Sequence, residues 1–154
     1  MNKKSLVPIL GAAAVVAAFS TAVIAQEMKA DRAIKYRQGI LQAIGWNMGV
    51  LGGMAKGEVP YDKDKSIRAA TFVSELAQMP WDGFVPGSDT GAPTKAKPEI
   101  WKDKAKFDKL AKDMQAETLK LVAAAKTGDV AQLRTAVGAT GKSCSNCHDD
   151  FRNK

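Results

Sequence analysis

The 154-residue chain is 45% hydrophobic and 25% charged, an ordinary composition for one globular domain, which excludes disordered and fibrous classes. Its formal net charge of +7 rests on lysines interleaved with Asp and Glu and without aromatic neighbours, so it describes a solvated helix face and excludes a nucleic-acid surface. The modest basic balance leaves room for a weak preference for acidic partners.

Residues 1–25 read as a signal peptide. Asn2-Lys3-Lys4 is the charged start, Leu6 to Val23 the apolar run, and Val23-Ile24-Ala25 a small-residue end suited to cleavage. A retained membrane anchor is the competing reading, but the run is rich in Ala and broken by Pro8 and Gly11. Cleavage leaves one domain, residues 26–154, with no further membrane-spanning candidate and no membrane association in the mature form.

From Ala30 to Met54, Ile34, Leu41, Ile44, Met48 and Leu51 form one apolar stripe, and Ile40, Ala43, Val50 and Met54 a second. That pattern predicts a helix with two buried faces, the second of them available to another copy of the chain. Gly39, Gly45, Gly49, Gly52 and Gly53 each cost about 1 kcal/mol against Ala inside a helix. Close approach of a backbone or a flat cofactor would justify that cost, with the last pair expected to end the helix. A second helix is predicted over Asp64–Gln78, stopped by Pro80. Met79 to Lys97, with Pro80, Gly83, Pro86, Gly87, Gly91 and Pro93, reads as a long loop. Its Trp81 and Phe84 are too large and apolar to be idle: they are either a cofactor lid or loop anchors.

Pro98 is placed as the first residue of a third helix that runs to Lys126 and ends at Gly128. Asp129 caps a fourth, which continues to Phe151, with Gly138 to Gly141 as the place where it could break. The expected fold is all-α, an up-down-up-down four-helix bundle.

Near the end of the chain stands Cys144-Ser145-Asn146-Cys147-His148, the spacing for covalent haem c attachment. Each thiol can form a thioether with one vinyl group, and His148 supplies the axial nitrogen to the iron. A zinc site wants four ligands, whereas the chain has two Cys and one His in all. A thioredoxin-like pair needs a βαβ setting that the chain lacks, and a short disulfide leaves His148 without a purpose. Because His148 is the only histidine, a second axial imidazole and a distal acid–base histidine are both excluded within one chain. Methionine remains as a sixth ligand, from Met28, Met48, Met54, Met79 or Met114, each more commonly core filler.

Lys35-Tyr36-Arg37-Gln38 leading to Leu41, the Met79-Pro80-Trp81 stop, the Pro98-Glu99-Ile100-Trp101 start and Phe151-Arg152 after the haem motif together resemble the cytochrome c′ family. These are the class II c-type cytochromes, and the resemblance covers essentially the whole mature chain. It implies a periplasmic homodimer, paired through the first helices, with a five-coordinate high-spin haem that binds nitric oxide and carbon monoxide and binds oxygen poorly. Under this resemblance Cys144 and Cys147 hold the haem and His148 is the proximal ligand, while Leu41 covers the distal iron face. Arg37 and Gln38 match positions that meet the propionates, Arg152 matches a basic residue beside the proximal face, and Trp81 and Phe84 match pocket wall. The segment from Gly87 to Lys97 is longer than in that pattern, so Thr90 and Thr94 receive no propionate contact.

Two functions compete. One is gas binding at an empty, apolar sixth position, with a redox capability served by an unidentified periplasmic partner and a role in nitric oxide binding or protection. The other is a low-spin class II electron carrier with a Met sixth ligand, which the relatives of that type place where this chain has Leu41. An enzyme is not expected, since neither a second redox centre nor a distal acid–base group is present.

Overall fold

The computed structural model describes residues 10–154, with side chains from Lys29 onward. The expected signal peptide falls on residues 1–9 and on the side chains of 10–25, outside the described residues. Five α-helices follow in order: α1 (Leu10–Lys56), α2 (Lys63–Leu76), α3 (Glu99–Lys102), α4 (Lys104–Thr127) and α5 (Val130–Phe151), with a 3₁₀ turn at Pro80–Gly83 between α2 and α3. The long helices α1, α2, α4 and α5 form the expected bundle, with α1 against α2 and α5, and α4 against α2 and α5. Among the described residues the only β pairing is an isolated bridge between Ala96 and Arg152, and no helix is long and apolar enough to cross a membrane.

Local chemistry sets the helix ends. Asp62 accepts from Lys65 N at the start of α2, and Asp129 accepts from Ala131 N and Gln132 N at the start of α5. Each cap of this kind stabilises by about 1 kcal/mol. Gly128, at φ 79°, takes the left-handed conformation that closes α4.

Several boundaries differ from the sequence expectation. The first helix starts at Leu10, not Ala30, and passes through Gly52 and Gly53 to end before Gly57, whose φ of 77° supplies the left-handed residue. The third helix is split at Asp103, which leaves helical geometry (φ −120°, ψ 61°) and accepts from Lys106 N, so it starts α4 itself. Pro98 precedes the short α3 rather than opening it. The fourth helix runs unbroken through Gly138 and Gly141.

The core lies in two parts. Ile44, Leu51, Met54, Val73, Leu121 and Leu133 fill the middle of the bundle. Ile100, Phe107 and Phe151, with Trp81 and Phe84 against them, form a smaller aromatic cluster at the end where α5 stops. The second stripe on α1 is largely used within the chain: Met54 is buried, and Ile40 and Val50 pack against the core. Of its large apolar side chains, α1 leaves Trp46 the most exposed, at 77%, with Tyr36 also reaching solvent. The lysine-rich face of α4 is the expected solvated one, with pairs such as Lys109 to Asp113 at 2.6 Å and Lys120 to Glu117 at 2.7 Å.

Candidate functional site: a cavity between the first and last helices

Cys144, Cys147 and His148 stand at i, i+3 and i+4 on α5, with Gly141 and Phe151 one turn before and after, so one face of the helix carries them all. That face closes one side of a cavity of about 730 Å³. The opposing wall is α1, through Arg37, Gln38, Leu41, Gly45 and Met48, and the remaining walls come from Trp81, Phe84, Thr94 to Ala96, and Phe107 of α4. All nine residues singled out in the sequence (Arg37, Gln38, Leu41, Trp81, Phe84, Cys144, Cys147, His148 and Arg152) line this single space. Its volume is that of a site for a sizeable cofactor.

The cavity is apolar inside. Phe107 meets Phe84 edge-on at 4.9 Å and Phe151 at 5.4 Å, and Trp81 reaches Phe107 at 5.7 Å. Trp81 is held in turn by Nε1 donating to Ala77 O at 2.7 Å. Trp101 Nε1, donating to Val85 O at 3.1 Å, ties the loop after Phe84 to α3. Trp81 and Phe84 are therefore anchored parts of the wall rather than a loose lid.

Both thiols are free and half-buried. Burial raises the Cys144 thiol above its ordinary value, and burial, with the charges of Cys144 and Asp150 next, pushes Cys147 up to about 11. At neutral pH both are protonated. Burial also lowers His148, and the neighbouring Arg152 cation lowers it further against the opposing pull of Asp149. A neutral imidazole is the form that binds a metal. Among the described residues there is no cluster of three or more His, Cys, Asp or Glu fit to hold a metal ion by itself.

Arg37 is the most buried polar residue of the site, at 2% exposure. Its Nη1 donates to Gly83 O at 2.7 Å and Ser88 Oγ at 2.6 Å, and its Nη2 to Ser88 O at 2.6 Å and Thr94 Oγ1 at 3.0 Å. The guanidinium lies over the Phe84 ring at 4.6 Å. Burial lowers its pKa and Asp89 opposes that shift, but an arginine stays charged throughout. Gln38 Nε2 likewise donates to Pro93 O at 2.9 Å. The four terminal N–H groups of Arg37 thus hold the loop, an arrangement the sequence reading did not anticipate when it set Arg37 towards propionates.

Residues given no place at the site in the sequence also line the cavity, Lys95, Ile100, Phe107, Leu110 and Phe151 among them. Phe107, Leu110 and Met114 fall at helical spacing on α4, a pattern that does not separate core from cavity. Of the methionines considered as a sixth ligand, Met48 and Met114 reach the cavity, Met54 is buried in the core, Met79 is 42% exposed and Met28 lies outside the described side chains.

A haem fits this donor set. The two thiols and the imidazole share one helix face, the interior is aromatic and aliphatic, and cationic or amide groups, Arg152, Lys95 and Gln38, stand among the lining residues to receive anionic edge groups.

The family model described as Cytochrome C' matches residues 32–152. Cytochrome c' of Rubrivivax gelatinosus is 42% identical over 129 residues, covering 84% of this chain and 100% of the relative. Its crystal structure aligns with a TM-score of 0.76 at 42% identity, covering 79% of this chain and 94% of that one. A nitric oxide complex of a leucine-to-alanine variant of cytochrome c prime from Alcaligenes xylosoxidans aligns at 0.75 and 36% identity, covering 81% and 97% of the two chains.

Proposed function

Because this chain belongs to the cytochrome c′ family of c-type cytochromes, which carry a covalently bound haem c, we propose that it is a gas-binding haem protein with a five-coordinate, high-spin iron. The haem supplies a redox-active iron able to take a diatomic ligand. Cys144 and Cys147 hold it by thioethers and His148 is its one axial protein ligand. Arg152 and Gln38 serve its anionic edge, while Arg37 orders the loop and Phe84 beside it.

Leu41 carries the choice of function. It lines the cavity on the α1 side, its side chain has no donor atom, and it occupies the position at which electron carriers resembling this family carry a Met ligand. A dry, hydrocarbon-covered position gives bound oxygen no hydrogen bond, while nitric oxide and carbon monoxide need none. Binding of these gases, with protection against nitric oxide as its use, follows from that chemistry. The nitric oxide complex of the leucine-to-alanine variant of the Alcaligenes relative supports gas binding as the function.

Export of the chain to the periplasm follows from residues 1–25 read as a cleaved signal, and reduction there by another periplasmic protein completes the redox cycle. Pairing of two copies through α1 is favoured by Trp46, which stands 77% exposed beside Gly45 and Gly49. Binding rather than turnover is the proposed activity. Absorption spectra of the purified ferrous protein, with and without nitric oxide, test it: a high-spin spectrum that changes on addition of the gas supports the reading, and a low-spin spectrum indifferent to the gas opposes it.

A further inference from the structure

Residues 94–97 form a strap fastened at one end to the α1 wall and at the other to the end of α5. On the α1 side Arg37 Nη2 donates to Thr94 Oγ1 at 3.0 Å. On the α5 side Lys97 N donates to Phe151 O at 3.0 Å and Asn153 N to Lys95 O at 2.8 Å, the backbone bridge that pairs Ala96 with Arg152. Lys97 Nζ adds a bond to Asp149 O at 3.0 Å. Thr94 Oγ1 is also tied to the strap itself: it accepts at 3.2 Å from the amide of Ala96, the residue bridged to Arg152.

A hydroxyl oxygen has two lone pairs, and here both are taken. One receives a charged, buried guanidinium, the stronger kind of hydrogen bond, and the other receives the amide of the bridge residue itself. Residues 95–97, directly beside Thr94, are held to the end of α5 by three bonds, two from the backbone and one from the Lys97 side chain. The far end of the strap grips the turn that carries His148: Arg152 N donates to His148 O at 3.0 Å, and Arg152 is the residue bridged to Ala96.

Resting on the reading of His148 as the axial ligand, we propose that Thr94 is a positioning residue that couples the α1 wall to the last turn of α5 and thereby sets how firmly His148 is held towards the iron. Thr94→Val keeps the shape and removes the acceptor, leaving one buried Arg37 donor without its partner and the bridge without its tether. Thr94→Ser keeps the oxygen and serves as the conservative control.

Two measurements on the holoprotein test this. Amide hydrogen exchange at Lys97 and Asn153 reads the strap directly, and roughly fivefold faster exchange is expected in T94V but not T94S. Resonance Raman of the ferrous protein reads the iron–histidine stretch, and of its nitric oxide complex the five- to six-coordinate ratio. In T94V the stretch is expected to shift and the five-coordinate share to rise, with T94S like the parent. Faster exchange with unchanged Raman spectra overturns the proposal and leaves Thr94 a loop residue; unchanged exchange overturns it too. A parent already low-spin before gas is added contradicts the reading of the site itself, and is told apart because it appears without any substitution.

Discussion

Gly83 lies so close against α1 that a Cβ built on it would stand 2.8 Å from Ala33 O and 2.8 Å from Arg37 Cβ. Neither atom is the far end of a flexible chain, so the 3₁₀ turn would have to move away from the helix. Gly83→Ala is expected to destabilise the protein by about 1–3 kcal/mol, as overpacking does. It should also loosen the loop, since Gly83 O is one of the acceptors of Arg37. Urea unfolding of the holoprotein checks the first effect and limited proteolysis within 84–97 the second.

Leu41→Ala should open the α1 side of the cavity. Leu41 is half-buried, and trimming a leucine beside a rigid cofactor leaves space that its surroundings cannot fill. Carbon monoxide association is expected to accelerate and affinity to rise, measured by flash photolysis and equilibrium titration. Binding constants equal to those of the parent would place Leu41 away from the iron.

Arg152→Ala separates a role at the iron from a role in the fold. Arg152 lines the cavity, its cation acts on His148, and its backbone amide closes the last turn of α5. A changed ratio of five- to six-coordinate nitric oxide complex by resonance Raman is expected, because the lost cation no longer influences the side of the iron that His148 serves. An unchanged ratio with a small loss of stability would leave only a favourable charge at the helix C-terminus.

Cys147 gives the haem-free protein a pH dependence that the loaded protein lacks. Its folded-state value is raised from 9.0 to about 11, mainly by burial. Below pH 9 the thiol is protonated in both folded and unfolded chains, so it has no effect. Between about 9 and 11 the unfolded chain gives up a proton that the folded chain keeps, so stability falls as pH rises through that window. Denaturant titrations of the haem-free chain at pH 8 and 10.5 should show the loss, and Cys147→Ser should reduce it. A thioether cannot ionise, so the loss at this residue should vanish in the holoprotein.

Trp46→Glu tests pairing through α1. A charge in place of the most exposed large apolar side chain should shift the protein to monomer in sedimentation at micromolar concentration, while circular dichroism stays as in the parent. A parent already monomeric would remove the pairing.

The bundle and the haem-binding helix face were legible because their signals are local. Gly128 and Asp129 mark a helix end and start by their own chemistry, and the spacing of Cys144, Cys147 and His148 is one helical turn. The split at Asp103 was hidden because the apolar spacing from Ile100 to Leu121 continues across it, and only the Asp103 carboxylate reaching Lys106 N shows the restart. The organisation of the loop was not legible at all. Arg37 binds the carbonyls of Gly83 and Ser88 and the hydroxyls of Ser88 and Thr94, 46 to 57 residues away, and such partners carry no periodicity to read. The same is true of the second apolar stripe on α1: its spacing was evident, but whether Met54 faced its own core or another chain depended on tertiary packing.

Near-infrared and visible absorption of the purified ferric and ferrous holoprotein, followed by addition of nitric oxide to the ferrous form, tests most directly whether Leu41 leaves the sixth position open. A high-spin spectrum in both oxidation states, with no sulfur-to-iron charge-transfer band and a clear change on adding nitric oxide, is the expected result. A low-spin spectrum carrying that sulfur band would contradict it, and would direct attention to Met48 and Met114, the methionines that line the cavity.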